Sequence, residues 1–448
     1  MLPRVPTARQ ASRLFVFHLH HPNSPNPPLQ LLSRKMSTTT SSSPPPNPSF
    51  ASSTRITPLT TNTYSATIPP HWQIGAVPHG GFVASLFQRV ATLHARRDPG
   101  LSATPHLHAL QLSFLRRTAV GHCVFEVDVL KAGRTTGEVL VGLRQPETAT
   151  GEAGTGEEAP LLVTGTIHLI NFHPPATPSD TDSQPLLSLP TAPPLLPAPP
   201  PANLKNLLAG VPDKNWMPLA DGGGIPEFVA FRRAVANVQF WVPRGKGGMG
   251  AVGGGDGGGA VERSETGAGF GQRKGERRGV LQRLGGWLAG TADAEPTKDS
   301  EGEEGEEEEE EVDEPPSYVD EYLAFAPHPT TNQREPLTTS ALGMAVDMFP
   351  VLVEAYRGTR WWPPTLSSAR PPLFWYPTLV LNMEVKRLLP PEGVDALFLR
   401  VRAVEIRDGR MDLGVTVLDE RGRVVALSSH VCLVVDAGRN TKGREVKL

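Results

Sequence analysis

Residues 80–95, GGFVASLFQRVATLHA, have the spacing of a helix but almost no polar side. Phe82, Leu86, Val90 and Leu93 recur at three- and four-residue intervals, and Val83, Ala84 and Ala91 fill the faces between them. A helix apolar nearly all round is a buried one and has to be enclosed by other chain. Three segments C-terminal to it alternate with period two: HLHALQLSFLR, then HCVFEVDVLKAGRTTGEVLVGLRQ, then APLLVTGTIHLINF. That pattern predicts half-buried antiparallel strands, with Gly133-Arg134 at a turn where glycine tolerates a positive φ. The combination predicts a sheet curled around the helix.

The same order of events occurs again. TTSALGMAVDMFPVLVEAY reads as a second helix, followed by TLVLNMEVKRL and by DALFLRVRAVEIRDGRMDLGVTVLDERGRVVALSSHVCLVVD. RDGR at 407–410 stands where KAGR stands at 131–134, and DERG at 419–422 marks a further hairpin. The expected fold is therefore α+β, two helix-in-sheet units side by side whose sheets can pair into one.

Of the 448 residues, 47 are proline and 44 glycine, concentrated where too little apolar surface exists to offset chain entropy. These segments divide the chain into a disordered leader (1–54), an N-terminal unit (55–173) and a Pro-rich linker (174–202). A connecting segment (203–242), a Gly-rich and acidic insertion (243–316), a C-terminal unit (317–436) and a tail (437–448) complete it. The leader is acid-free as far as Asp98 and carries Arg4, Arg9, Arg13 and Arg34 among Ser, Thr and Pro, the composition of a mitochondrial transit peptide. The other reading starts the working chain at Met36 and places it in the cytoplasm.

A net charge of −3 implies no general pull toward nucleic acid. Two cysteines, Cys123 and Cys432, exclude a disulfide framework or cysteine-based zinc site and suit a reducing compartment. No uninterrupted apolar run is long enough to span a membrane. Metal-ligand spacing, a phosphate loop and a serine nucleophile elbow are all missing, so no metal or cofactor is expected. Oligomeric state, including a homo-oligomer, stays open.

HWQIGAVPHGGFVASLF, the KAGRTTGEVLVGLRQ hairpin, MAVDMFPV, PTLVLNMEV and RDGRMDLGVTVLDERGRVVALSSH together resemble the thioesterase-like superfamily. This is the double hot-dog group that includes the acyl-CoA thioesterase II family. The resemblance implies an acyl-CoA substrate hydrolysed by water, with no metal and no covalent intermediate. It also implies an Asp on the second unit's helix, with a Thr and a Gln from neighbouring strands helping to hold the attacking water. The Asp matches Asp347 and the Thr matches Thr378, while the Gln position falls on His430. That departure leaves room for a non-catalytic acyl-CoA-binding or scaffolding protein. A hot-dog dehydratase or hydratase using His79 is the third reading.

Read as residues, Asp347 stands out because nearly every neighbour is apolar. A buried carboxylate must be paired, protonated or facing a cavity, and burial would raise its pKa toward working pH, as suits a general base. Pro350 should kink the helix beside it. His430 shares its strand with Ser428 and Ser429; facing Asp347, it would orient the base. His79, Gly80 and Gly81 open the first helix, where unpaired N–H groups make either an oxyanion site for substrate or only a tight entry turn. The aromatic clusters TRWWPP and PLFWYP read as packing and loop covers.

Overall fold

The alternating segments pair into one antiparallel sheet of fourteen strands. They are β1 Thr57–Pro58, β2 Thr63–Ile68, β3 His106–Phe114, β4 Gly121–Lys131, β5 Thr136–Arg144, β6 Leu161–Ile170 and β7 Trp216–Pro218. After them come β8 Val238–Pro243, β9 Tyr318–Phe325, β10 Thr378–Val385, β11 Leu397–Arg402, β12 Ile406–Arg407, β13 Arg410–Leu418 and β14 Val424–Leu433. The computed structural model describes residues 48–145, 159–172, 195–219, 231–244, 317–348, 352–356 and 374–441. All of them belong to one compact unit beginning at Pro46.

The sheet order is β1-β2-β4-β5-β6-β3-β10-β14-β13-β11-β9-β8-β7, with β12 on β13. Taken inward from the two edges, β2-β4-β5-β6-β3 and β9-β11-β13-β14-β10 are the same arrangement. The halves meet where β3 pairs with β10, Leu110 opposite Met383. The Gly-Arg turns also correspond: Gly133 lies between β4 and β5, Gly409 between β12 and β13. Their backbones differ from the expectation. Asp408 and Gly409 take positive φ (51° and 69°), but Gly133 does not. There the requirement is space, since a Cβ would come within 2.9 Å of the Thr136 carbonyl oxygen.

Helix α1, Gly80–Arg97, is enclosed as its sequence demands. Phe82, Val83, Ala84, Leu86, Phe87, Val90 and Ala91 are fully buried. The helix ends at Asp98, whose extended conformation suits the residue before Pro99. The second unit departs from the long helix expected over 338–356. A 3₁₀ turn, Thr339–Ala341, leads into a single α turn, α2, Leu342–Ala345, and a second 3₁₀ segment follows at Leu352–Tyr356. Packing explains why α2 is where it is. A Cβ on Gly343 would meet the backbone of Ser85 and Ala84 at 2.8 and 3.0 Å, so the two helices touch backbone to backbone. Ser85 Oγ then accepts the Met344 N–H at 2.8 Å, one of the donors that a helix start leaves unmet. Pro350 and the TRWWPP cluster lie outside the described residues.

One apolar core runs through both halves, with α1, α2 and the inner sheet face contributing to it. A smaller cluster of Leu207, Trp216, Trp241, Ala324, Ala396 and Phe398 forms separately, against which Leu195 and Ala202 pack. The Pro-rich stretch therefore ends in packed chain rather than free linker, and the connecting segment adds β7 and β8 to the sheet. The end of the leader is ordered as well: Phe50 is buried, and Glu335 accepts the Phe50 and Ala51 N–H groups at 2.6 and 2.8 Å. Asn440, in the tail, is buried and donates to the Ile74 carbonyl at 2.7 Å. Residues 245–316 of the insertion lie outside the described residues. Among the described residues, no helix is long and apolar enough to cross a membrane, and no cluster of three or more His, Cys, Asp or Glu could hold a metal.

Candidate active site

The chain turns out of α2 at Val346–Asp347, and the turn drives the Asp347 side chain against the start of α1. Both glycines there are needed. A Cβ on Gly80 would lie 2.8 Å from Asp347 Oδ2, and one on Gly81 would lie 2.7 Å from Asp347 Cβ and 2.6 Å from the Gly343 carbonyl. The Gly81 N–H donates to Asp347 Oδ2 at 2.6 Å, so the positive end of the α1 dipole rests on the carboxylate. Of the two sequence readings of this entry, an oxyanion site at Gly81 is excluded, because its N–H is already taken.

His79 is the N-cap of α1. Its Nδ1 accepts the Phe82 N–H at 3.2 Å, which leaves the ring hydrogen on Nε2. Nε2 donates to the Asp347 carbonyl oxygen at 3.0 Å and lies 3.6 Å from Oδ2. Burial holds the ring's pKa below the ordinary histidine value, against the pull of the Asp347 charge. His79 is thus a neutral strut between the halves.

The other carboxylate oxygen faces the strands. Thr378, first in β10, donates its hydroxyl to Asp347 Oδ1 at 3.0 Å. His430 Nδ1 lies 3.4 Å from the same oxygen. Alternation along β14 puts Ser428, His430 and Cys432 on its inner face. Ser428 Oγ donates to the Asn382 carbonyl at 2.6 Å and meets His430 Nε2 at 2.9 Å. Asp347 is 8 % exposed. Burial presses its carboxyl upward, but the His430 ring and the Thr378 hydroxyl draw it down, and the net pKa lies below the ordinary value. This corrects the expectation of a raised pKa: the carboxyl is held as a carboxylate, not as an acid.

Asp347, Thr378, His79 and Gly80 all line one cavity of about 390 Å³. Its walls include Ile74, Val77, Phe114 and Leu433. The exposed Arg116, Arg117 and Arg439 and the buried Arg232 also line it, and no carboxylate other than Asp347 does so among the described residues. Arg117 stacks over Trp375 at 5.1 Å and Arg232 over Tyr376 at 5.3 Å. These two aromatics, read in sequence as loop cover, are cavity lining. His430 does not line the cavity; it sits behind Asp347. The arginines were the residues missed. Their only sequence signal was the Arg116-Arg117 doublet closing an alternating strand, and Arg232 and Arg439 come from segments that carry no pattern.

Comparison with known proteins bears on the two units and their fold. A family model described as the acyl-CoA thioesterase N-terminal domain matches residues 68–163, and one described as the acyl-CoA thioesterase C-terminal domain matches 269–434. Together they cover more than half of the chain, in the order of the two units. A thioesterase-like protein, TwmA of Talaromyces wortmannii, is 48% identical over 67 residues, which is 15% of this chain and 19% of that protein. The match thus spans about a fifth of the length of that curated relative. A solved structure assigned as a thioesterase II, from Thermobifida fusca YX, superposes with a TM-score of 0.51 at 18% identity. The superposition covers 86% of this chain and 97% of that one, a likeness of fold.

Proposed function

The chain belongs to the acyl-CoA thioesterase family and is a thioester hydrolase of the double hot-dog fold; on that premise we propose that it hydrolyses acyl-CoA by a water that Asp347 activates. The observation that carries this reading is a buried carboxylate lining a cavity, with the Thr378 hydroxyl bound to it. Thr378 and Asp347 both face the cavity, so a water there has an acceptor and a hydroxyl within reach. Asp347 takes the water's proton as the oxygen attacks the thioester carbonyl. The tetrahedral intermediate collapses, sulfur leaves with the C–S electron pair, and the proton passes to it. Negative charge on the carbonyl oxygen needs a donor. Gly80 lines the cavity at the α1 N-terminus, and no acceptor for its N–H is present among the described residues. We assign that N–H to the oxyanion.

The arginines speak to the leaving group. Arg116, Arg117 and Arg439 around one opening, with no second carboxylate lining it among the described residues, favour an anionic substrate end, and guanidinium pairs with phosphate in bidentate geometry. Coenzyme A carries such phosphates. A hydratase reading through His79 is disfavoured, because both ring nitrogens are already committed within the fold. The non-catalytic reading rested on His430 replacing a Gln, and the ring nonetheless meets the carboxylate that the Gln position was to serve.

The test is a thiol-release assay on the full-length protein with acyl-CoA of several chain lengths and with the matching acyl-N-acetylcysteamine thioesters, which lack phosphate. Arg116→Gln with Arg439→Gln should raise KM for acyl-CoA several-fold and leave it unchanged for the truncated thioester. No hydrolysis of any acyl-CoA would refute the reading, and equal effects on both substrates would refute the arginine assignment.

A further inference from the structure

We propose that Asn440 is a positioning residue for substrate: it latches the segment after β14 onto the hairpin that enters α1, and so holds Arg439 at the mouth of the cavity. The proposal rests on the reading of the mouth arginines as the phosphate contact. The hairpin spans 73–78, with Gln73 opposite Pro78, Ile74 opposite Val77 and Gly75-Ala76 at the turn. Asn440, fully buried, meets that turn with three atoms. Its Nδ2 donates to the Ile74 carbonyl at 2.7 Å, and its carbonyl oxygen accepts the Ala76 N–H at 2.9 Å. Oδ1 lies 3.3 Å from the same nitrogen. A carboxamide suits this place because it carries a donor and an acceptor on one short stem. The turn is shaped for it in return. Gly75 takes a φ of 60°, and a Cβ there would lie 2.5 Å from the Asn440 carbonyl oxygen and 2.6 Å from Nδ2.

The path into the latch passes the mouth. After β14, Val435–Asp436 pairs with Phe374–Trp375, and a 3₁₀ turn, Ala437–Asn440, follows. The Asp436 carboxylate accepts the Gly438 N–H at 2.7 Å and starts the turn; Asn440 ends it. Arg439 is thus fixed on both sides. Its carbonyl accepts Arg117 Nη2 at 2.5 Å, and Arg117 is the guanidinium stacked over Trp375. The Arg439 guanidinium itself is exposed and has no partner among the described residues, so its main chain sets where that charge stands.

An arginine held in place beforehand loses less freedom when it binds. Asn440 does not line the cavity, so its effect on substrate runs through its neighbour. The hairpin also supplies cavity wall, at Ile74, Val77 and Pro78. Losing the latch frees the tail more than this wall. The hairpin keeps its own pairing, and the Gly75 N–H still donates to the Phe231 carbonyl at 2.5 Å. The latch therefore bears on the phosphate end of the substrate rather than on the thioester.

The experiment measures thiol release by the full-length protein from decanoyl-CoA and from decanoyl-N-acetylcysteamine, which lacks phosphate. Asn440→Ala should raise KM for decanoyl-CoA several-fold, with kcat little changed and KM for the truncated thioester unmoved. Arg439→Gln should do the same. Adding Asn440→Ala to it should raise KM no further, because both changes remove one contact. If Asn440→Ala does not fold, Asn440→Ser, whose hydroxyl is too short to reach the Ile74 carbonyl, should give the same pattern. Hydrogen exchange reads the latch without turnover: amides of 437–441 should exchange faster in the Asn440 variant, and those of β14 should not. Unchanged exchange at 437–441 overturns the latch. A KM rise on both substrates, or a loss confined to kcat, marks a structural role only and overturns the proposal. So does a full further rise in the Arg439→Gln background, or a wild-type KM for Asn440→Ala where Arg439→Gln raises it. No effect of Arg439→Gln on KM for decanoyl-CoA would instead remove the phosphate reading, and the positioning role with it.

Discussion

Gly81 of the first unit donates its backbone N–H to Oδ2 of Asp347 in the second at 2.6 Å. The candidate base is therefore held by the opposite half of the molecule. Neither unit contains the site alone, and the greasy helix that opens on two glycines does so because the carboxylate sits against its first turn.

That contact predicts a severe effect for Gly81→Ala. The added Cβ would come within 2.6 Å of the Gly343 carbonyl and 2.7 Å of Asp347 Cβ, and both are backbone or near-backbone atoms that cannot swing away. Overpacking of this kind costs about 1–3 kcal/mol. Denaturant unfolding should show that loss, and hydrolysis should fall by more than stability explains because the carboxylate is displaced. A variant as stable and active as wild type would show that α1 and Asp347 are not in this contact.

How much of this was legible beforehand depended on the range of the signal. The period-two strands, the enclosed helix and the duplication are local patterns, and all were readable. The pairing of Asp347, Thr378 and His430 was reached through resemblance, because residues so far apart on different elements share no spacing rule. The direction of the Asp347 pKa was misjudged for a physical reason. Burial is visible in the apolar neighbours of Asp347, but the partners that outweigh it come from β10 and β14. The second helix was expected to be long because its residues are apolar; that Gly343 packs onto Ser85 is a tertiary fact, invisible in one segment.

Glu321 carries a pH-dependent prediction. It is fully buried on β9, and neither carboxylate oxygen has a hydrogen-bond partner among the described residues. Burial, and then the neighbouring Asp320 charge, raise its pKa well above 4.5. The folded state therefore holds a proton that the unfolded chain releases at ordinary carboxylate pH. Stability from this group is complete below the unfolded value and declines as pH rises toward the folded one, by about 1.4 kcal/mol per pH unit. Glu321→Gln should match wild type in acid and exceed it increasingly at neutral and alkaline pH. Melting temperatures across pH check this; parallel curves would contradict it.

The insertion should be dispensable to the fold. β8 ends at Pro243 and β9 begins at Tyr318, and the two are antiparallel neighbours with Trp241 opposite Tyr322. Antiparallel neighbours need only a short connection. Replacing residues 246–315 with a brief Gly-Ser linker should leave the melting temperature nearly unchanged. A large loss of stability would mean that the segment packs onto the body.

Whether Asp347 takes the proton of the attacking water is decided by Asp347→Asn. The amide keeps the shape and can still accept the Gly81 N–H, but it cannot take a proton. Thiol release from acyl-CoA by the purified full-length variant should fall by roughly 10²- to 10⁴-fold, the usual contribution of a general base. Its melting temperature and its affinity for acyl-CoA should stay close to wild type. Hydrolysis at near wild-type rate by a folded Asp347→Asn protein would rule Asp347 out as the base.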